Sequence, residues 1–463
     1  MEKIDILIIG AGISGLSTGA FLKKKGLDFV MLEKGSVPGG VMRSELSGNY
    51  IFDMGSNSAV LKNDAIPELI QWAGMEDDMY TADRASAKRL IMKGGKLHAI
   101  SGPLSMIFTP LFSWKAKWFA MGEFKHKPRI AEGDESMADF ITRRLGKEIL
   151  DYAVNPIIAG IYAGNPEEVS MMANYPRMLE AERRFGSVMK GMMALAKERR
   201  KNGEPPKKHP KSAIFSFKKG MQQLAYRLAD LLKEHIQYDA EVQSVQKSES
   251  GGYAVTYMQA GVSKQVHARI VVSAAQAYTA AKYVAEMDAN LSQKLAEIVY
   301  PAVLVLNLVY RKSAIAQNLS GFGYLIPAAE KQSYLGAIWS SSIFPNRAPE
   351  DEALFTIFVG GRRNPEMCAM PLEEAISKVR SEFEMAMRIS EPPVEIKSKY
   401  WERAIPQYNM EYPPIAASID AFEKSNPDFI VSGNYRKGFA TGDCIGNARE
   451  NAARIANILD KNN

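Results

Sequence analysis

The apolar run Ile4 to Ile9 passes directly into Gly10-Ala11-Gly12-Ile13-Ser14-Gly15, and no other stretch constrains the fold of this chain so tightly. A continuous apolar run ahead of glycines at GxGxxG spacing reads as a buried parallel strand that delivers the chain to a helix N-terminus. The helix runs on from Leu16 and stops at Gly26. A second strand, Asp28 to Lys34, carries Glu33, which lies 18 positions after Gly15. In such a unit Gly10 permits the tight turn, Gly12 lets the backbone approach a pyrophosphate, and Gly15 lets helix and strand pack closely. Ala11, Ile13 and Ser14 complete the loop, so the phosphates meet the helix N-terminus. The Glu33 carboxylate, with Lys34 beside it, accepts from ribose hydroxyls, and an acid there disfavours a 2′-phosphate. An adenine dinucleotide other than NADP is therefore expected.

With 463 residues, 46% of them hydrophobic, the chain has material for more than one domain core. Its net charge of +6 suits anionic partners, such as acidic lipids or carboxylate substrates, and is too small to indicate nucleic acid. Cys368 and Cys444 lie far apart, and His98, His126, His209, His235 and His267 are scattered without partnered spacing. No disulfide framework, no metal site and no histidine base is expected, and a reducing compartment fits. The N-terminus enters its strand without the basic region, apolar core and cleavage site of a signal peptide.

The apolar stretch from Gly102 to Trp114 contains two prolines and falls short of the roughly 20 residues that cross a bilayer. Around it, Phe108, Phe112, Trp114, Trp118, Phe119 and Phe124 are interleaved with Lys115 and Lys117. Aromatic residues beside lysines compose a segment lying in a membrane interface; a core helix with snorkelling lysines is the other reading. Lys197 to Lys211, with Pro205, Pro206, Pro210 and a run of like charges, reads as a solvated linker.

After Glu33 come Gly39-Gly40, then Arg43-Ser44, a hairpin turning at Gly48-Asn49, and Gly55-Ser56-Asn57-Ser58. This arrangement resembles the double-glycine motif of the flavin amine oxidase superfamily, which makes the dinucleotide FAD. Val41 stands where that superfamily usually has an arginine. The superfamily completes its FAD domain from two further stretches, and matching pieces are present. In the middle of the chain they are a helix over Phe217 to Leu232, a strand pair turning at Gly251-Gly252 and a buried strand from Ala268. At the end they are a strand Phe429 to Tyr435 and a helix after Lys437. The resemblance puts the Val242 amide on the adenine, and Gly40, Gly55, Ser56, Asn57, Ser58, Trp401, Phe439, Ala440 and Thr441 along the FAD.

Five segments narrow the family: Gly160 to Met171, Gly321 to Pro327, Leu335 to Pro345, Ile405 to Asn409 and Gly433 to Ile445. In order and spacing they are similar to those of protoporphyrinogen oxidases over essentially the whole chain. The implied architecture is α/β, with a Rossmann-like FAD domain (1–60, 212–282, 426–463), a mixed-sheet substrate domain (61–93, 283–425) and a helical membrane-binding domain with its linker (94–211). The implied reaction is a flavin-mediated, six-electron oxidation of a cyclic tetrapyrrole, with oxygen as acceptor and hydrogen peroxide as product. By the same resemblance Arg89 pairs with a propionate, Phe322, Leu325 and Ile338 wall an apolar slot, and Gly160 lets the chain pass close to the substrate. Implied partners are the inner face of the cell membrane, approached from the cytoplasm, a later enzyme of the heme pathway, and a second copy of the chain.

Three alternatives stay open: a coproporphyrinogen oxidase acting on a four-propionate substrate, a flavin amine oxidase, and a membrane-docked flavoprotein without turnover. The paired aromatics expected of an amine oxidase near the flavin are not evident in Gly433 to Ile445.

Overall fold

The computed structural model describes residues 2–82, 88–100, 108–129, 133–202 and 213–460. The strand Glu2–Ile9 buries Ile6 to Ile9 and runs parallel to Val30–Leu32 on one side and Val262–Ser273 on the other. Ile236–Gln237 extends the sheet beyond Val30–Leu32. Tyr253–Gln259 and Ala240–Lys247 extend it as an antiparallel pair, and Phe429–Val431 adds to the end of Val262–Ser273. Three distant stretches of chain thus make one sheet, as a discontinuous FAD domain requires. The helix Ile13–Lys24 is buried at every position from Ile13 to Leu22. Its polarity is low all round because it lies between the sheet and the helices Ala65–Ala73, Gln222–Leu231 and Thr441–Asp460.

A second sheet has the strand order Glu395–Trp401, Val303–Arg311, Glu352–Gly360, Tyr334–Ile338, Gly323–Leu325, Arg89–Lys93, Lys96–Ile100. Val303 to Tyr310 are buried without a break, as expected of a central strand covered on both faces. The helix Leu372–Met387 closes one face through Ala375, Ile376, Val379, Phe383 and Met387.

The helices from Trp114 to Lys201 form a third body around Leu111, Phe112, Phe140, Ile141, Leu150 and Leu179. Within it Arg144 and Glu123 are fully buried and paired, and Arg143 bridges Glu135 and Glu182. Among the described residues no helix is long and apolar enough to cross a membrane, and no cluster of metal-binding side chains occurs.

Several local expectations differ from what is found. Lys96–Ile100 pairs with Arg89–Lys93 along its whole length, so the substrate sheet runs past residue 93. Helix Ala65–Ala73 packs Ala65, Ile66, Leu69 and Ile70 into the core of the FAD domain rather than the substrate domain. Phe217 ends a strand, Ile214–Phe217, and the helix starts only at Gln222. Between them Gly220 has φ +83°, and a Cβ there would lie 2.4 Å from the Ser44 hydroxyl. Lys197 to Lys201 form the last turn of Val188–Lys201, where basic residues complement the helix dipole; residues 203–212 lie outside the described residues. Phe112 is 3% exposed and belongs to the helical core, not to a membrane-facing surface.

Candidate cofactor and substrate site

The turn between Ile9 and Ile13 is built as the glycine spacing predicts. Gly10 has φ +103°, and its N–H donates to the Leu32 carbonyl at 2.8 Å. A Cβ on Gly15 would stand 1.9 Å from the Gly10 carbonyl oxygen, so helix and turn touch there. A Cβ on Gly12 would meet nothing within 4 Å. Its missing side chain serves no neighbour in the protein and leaves room for a ligand. Gly12 also caps Ile13–Lys24, with no side chain on the free N–H groups and no acid in the first turn. Open, uncapped donors at a helix N-terminus fit the pyrophosphate of a dinucleotide.

The double glycine closes over this turn. The Gly39 N–H donates to the Ala11 carbonyl at 2.8 Å, and Gly40, at φ +58°, stands with its Cβ position 3.4 Å from Gly12 Cα. Arg43 turns back to donate to the Gly40 carbonyl at 3.0 Å. Glu33 holds the Ala11 N–H at 2.7 Å and the Gly35 N–H at 2.8 Å. A carboxylate offers about four acceptor positions, so two remain for ribose hydroxyls. Lys34 is exposed. Val242 lies at an irregularity of the strand Ala240–Lys247, whose first N–H donates to the Glu33 carbonyl at 2.9 Å. It therefore stands beside the ribose end of the cradle.

Gly55 to Ser58 continue from the hairpin strand Tyr50–Asp53. A Cβ on Gly55 would lie 2.1 Å from the Val41 carbonyl, and the Trp401 indole donates to the Met54 carbonyl at 2.6 Å. Ser56 bonds the Ser58 carbonyl at 3.3 Å, and Asn57 is 5% exposed. At the C-terminal motif, Phe439 packs on Tyr162 with ring centroids 4.8 Å apart. The Ala440 N–H caps onto Asp443 at 3.3 Å, and Thr441 begins the terminal helix. Cys444, one turn on, lies against Ser14, and burial pushes its thiol up to about 11. The first turns of Ile13–Lys24 and Thr441–Asp460 therefore meet.

Two residues before Tyr162, Gly160 meets the other group of expected residues. Leu325 Cδ2 lies 2.3 Å from where a Gly160 Cβ would be, so any side chain there would have to displace Leu325. Arg89 is paired with Gly323, which is paired in turn with Ile338. The Arg89 guanidinium lies over the Phe322 ring at 5.4 Å. Arg89, Phe322, Leu325, Ile338 and Gly160 are thus brought together on three adjacent strands and the helix Asn155–Tyr162. Leu325 and Ile338 are only partly buried, unlike Tyr324 and Ala337 on the opposite face, and Phe322, just before the strand, is partly buried as well. Arg89 has no carboxylate partner among the described residues, and desolvation holds its pKa below the usual arginine value.

A buried polar network joins the cofactor segment to the substrate sheet, and sequence reasoning missed it. Asp53 and Arg347 are both fully buried and bonded at 3.1 Å. Asp53 also accepts from Ser44 at 2.6 Å and the Met221 N–H at 3.0 Å. Burial pushes the Asp53 carboxyl upward, opposed by Arg347, Ser44 and Met221. Beside it Asn307, Thr356, Ser340 and Asn57 form a hydrogen-bonded row. The available signal was Asn307, a single amide in the apolar strand Val303 to Tyr310. Tyr162 was also missed; burial and Tyr175, 2.9 Å away, push its hydroxyl upward and keep it neutral.

Comparison with known proteins agrees with this geometry. The pattern of flavin containing amine oxidoreductases matches residues 13–456. Protoporphyrinogen oxidase from Oryza sativa subsp. japonica is 30% identical, covering 99% of this chain and 89% of its own. Coproporphyrinogen III oxidase from Staphylococcus aureus is 25% identical over 95% of this chain and 96% of its own. A crystal structure from Exiguobacterium sp. 255-15 superposes with a TM-score of 0.80 at 19% identity, covering 98% of both chains, which shows a shared fold. With a family match over almost its whole length and a relative 30% identical over nearly the full chain, the chain belongs to the flavin-containing amine oxidoreductase family, and FAD is its cofactor.

Proposed function

We propose that the chain oxidises a porphyrinogen, with protoporphyrinogen IX as substrate and protoporphyrin IX as product. One observation carries this reading. Arg89 lies over the Phe322 ring beside Leu325 and Ile338, and its guanidinium has no carboxylate partner among the described residues. An apolar disc with a few propionates is the complement of such a slot. Arg89 pairs with a propionate through a two-pronged charge-assisted bond. The three apolar walls hold the macrocycle, and Gly160 lets the wall residue Leu325 pack against the helix Asn155–Tyr162. Trp401, Phe439 and the Gly55 to Ser58 segment keep the cofactor against it.

Bound FAD supplies the two-electron oxidation chemistry. Three such oxidations remove six hydrogens from the substrate, and three oxygen molecules leave as three hydrogen peroxides. The protein's part is to place a meso carbon against the flavin and exclude water. Two propionates suit a slot to which only Arg89 is assigned as a cation among the described residues. Coproporphyrinogen, with four, is the second reading, favoured by the likeness to the S. aureus protein over nearly the full chain.

Attachment to a membrane surface is part of the proposal. The helix Trp114–Met121 has no buried residue, with Trp114 at 65% and Trp118 at 69% exposure beside Phe108 at 80%. Such aromatics suit the interface of a bilayer. Phe119 contributes less, because it packs on His126 with centroids 4.2 Å apart. A docked enzyme could pass its product to the next enzyme of heme formation, alone or as a homodimer.

The test is aerobic turnover of the FAD-loaded protein, following porphyrin fluorescence and peroxide together. Protoporphyrin and peroxide should appear in a one-to-three ratio. Faster turnover of coproporphyrinogen would reassign the substrate, and turnover of neither would overturn the proposal.

A further inference from the structure

The buried row beside Asp53 has a direction, and that direction decides which end of the Asn57 amide faces a ligand. At one end the Asp53 backbone carbonyl, which can only accept, lies 3.4 Å from the Asn307 amide nitrogen. Asn307 must therefore turn its NH2 toward Asp53 and its oxygen toward Thr356, 2.7 Å away. Thr356 spends its only hydroxyl proton on that oxygen. Ser340, 2.8 Å from Thr356, must then donate to it. With its own proton spent, Ser340 can only accept from Asn57, and the Asn57 NH2 lies 3.2 Å from it. The Asn57 carbonyl oxygen is left facing away from the row. It is buried and has no hydrogen-bond partner, and Asn57, Ser340, Thr356 and Asn307 are 5%, 1%, 0% and 0% exposed.

A buried amide oxygen without a donor is costly unless a ligand supplies one. Its place indicates which ligand. Asn57 lies in the segment expected along the FAD, and Ser340 follows two residues after the slot wall Ile338. On those expectations the oxygen stands between the cofactor and the substrate. We propose that Asn307, Thr356 and Ser340 are positioning residues that fix the Asn57 amide so that its oxygen accepts an N–H of the bound ligands. The donor is either the flavin N3–H or a pyrrole N–H of a porphyrinogen; the pyrrole case rests on the proposed function, and the flavin case does not.

Thr356→Val breaks the row while keeping its shape. Ser340 then has a proton free for the Asn57 oxygen, and the amide can turn its NH2 toward the ligand. Thr356→Ser keeps the hydroxyl and should behave as the wild type. Both variants are compared as FAD-loaded protein, with melting temperature as the control for folding.

If the donor is the flavin, substrate-free Thr356→Val should show shifted flavin absorption bands. Its midpoint potential should be higher by roughly 15–30 mV, because an acceptor on N3–H favours the oxidised ring; this equals a three- to ten-fold change in a two-electron equilibrium. If the donor is a pyrrole, spectrum and potential stay unchanged and KM for porphyrinogen rises roughly three- to ten-fold, with a smaller change in kcat. In both cases Thr356→Ser restores the wild-type value. If Thr356→Val lowers only the melting temperature, with spectrum, potential and KM all unchanged, the row is merely structural and the inference is wrong. A wild-type protein that turns over no porphyrinogen would remove the proposed function and leave the flavin measurements standing as the test.

Discussion

Replacing Arg89 with alanine removes the only ionic contact assigned to the substrate slot. In the free protein the guanidinium rests over Phe322 and pairs with no carboxylate among the described residues. Losing it should cost the fold little, about the 0.5–1 kcal/mol of an exposed cation–π contact. In the complex the loss is larger, since a propionate in a partly desolvated slot is left without its charge-assisted bonds. Truncating one partner of a buried charged pair costs about 2–5 kcal/mol. Arg89 is exposed at the rim, so the lower part of that range applies. About 2–3 kcal/mol corresponds to a rise in KM of roughly 30- to 150-fold. Because the rim contact is equally present in ground and transition states, kcat should fall much less. Arg89→Lys should recover only part of the loss, since an ammonium lacks the planar fork. Steady-state assays of porphyrin fluorescence decide it, with FAD content as the control. A wild-type KM for Arg89→Ala would show that Arg89 is a plain surface charge and that the slot is misplaced.

Gly12→Val puts a branched side chain into the open space at the helix N-terminus, so the purified variant should lose its bound FAD while keeping its secondary structure; full flavin absorbance would contradict the cradle. Asp53→Asn leaves Arg347 as a buried, unpaired charge and should lower stability by about 3–5 kcal/mol, read from denaturant unfolding of the loaded protein. Wild-type protein should sediment with anionic liposomes, whereas Trp114→Glu/Trp118→Glu should stay in the supernatant. Equal sedimentation of the two would move the membrane contact elsewhere.

What could be read from the sequence follows the distance between partners. The strand Glu2–Ile9, Gly10 to Gly15 and Glu33 lie close together in the sequence, so each constrains its neighbours, and the strand, the turn and the helix form where the pattern puts them. The slot residues come from distant segments, and only the likeness to a known family gathered them. Nothing in their spacing tells Phe322, which is partly exposed, from Tyr324, which is buried in the core of the sheet. The polar row was illegible because its links join residues 283 and 294 positions apart, Asn57 with Ser340 and Asp53 with Arg347. Aromatic composition also could not separate Phe108, which is exposed, from Phe112, which is buried against the helical core. That distinction depends on how the segment packs against Phe140 and Leu150, and composition carries no trace of it.

The central claim is that this slot presents a porphyrinogen to the FAD. Its most direct test is anaerobic mixing of the FAD-loaded protein with protoporphyrinogen IX in a stopped-flow spectrometer. Without oxygen the first oxidation must leave its electrons on the protein's own cofactor, so the yellow flavin absorbance should bleach in a rapid, substrate-dependent phase and return when oxygen is admitted. Flavin absorbance that stays constant with protoporphyrinogen and with coproporphyrinogen would contradict the account.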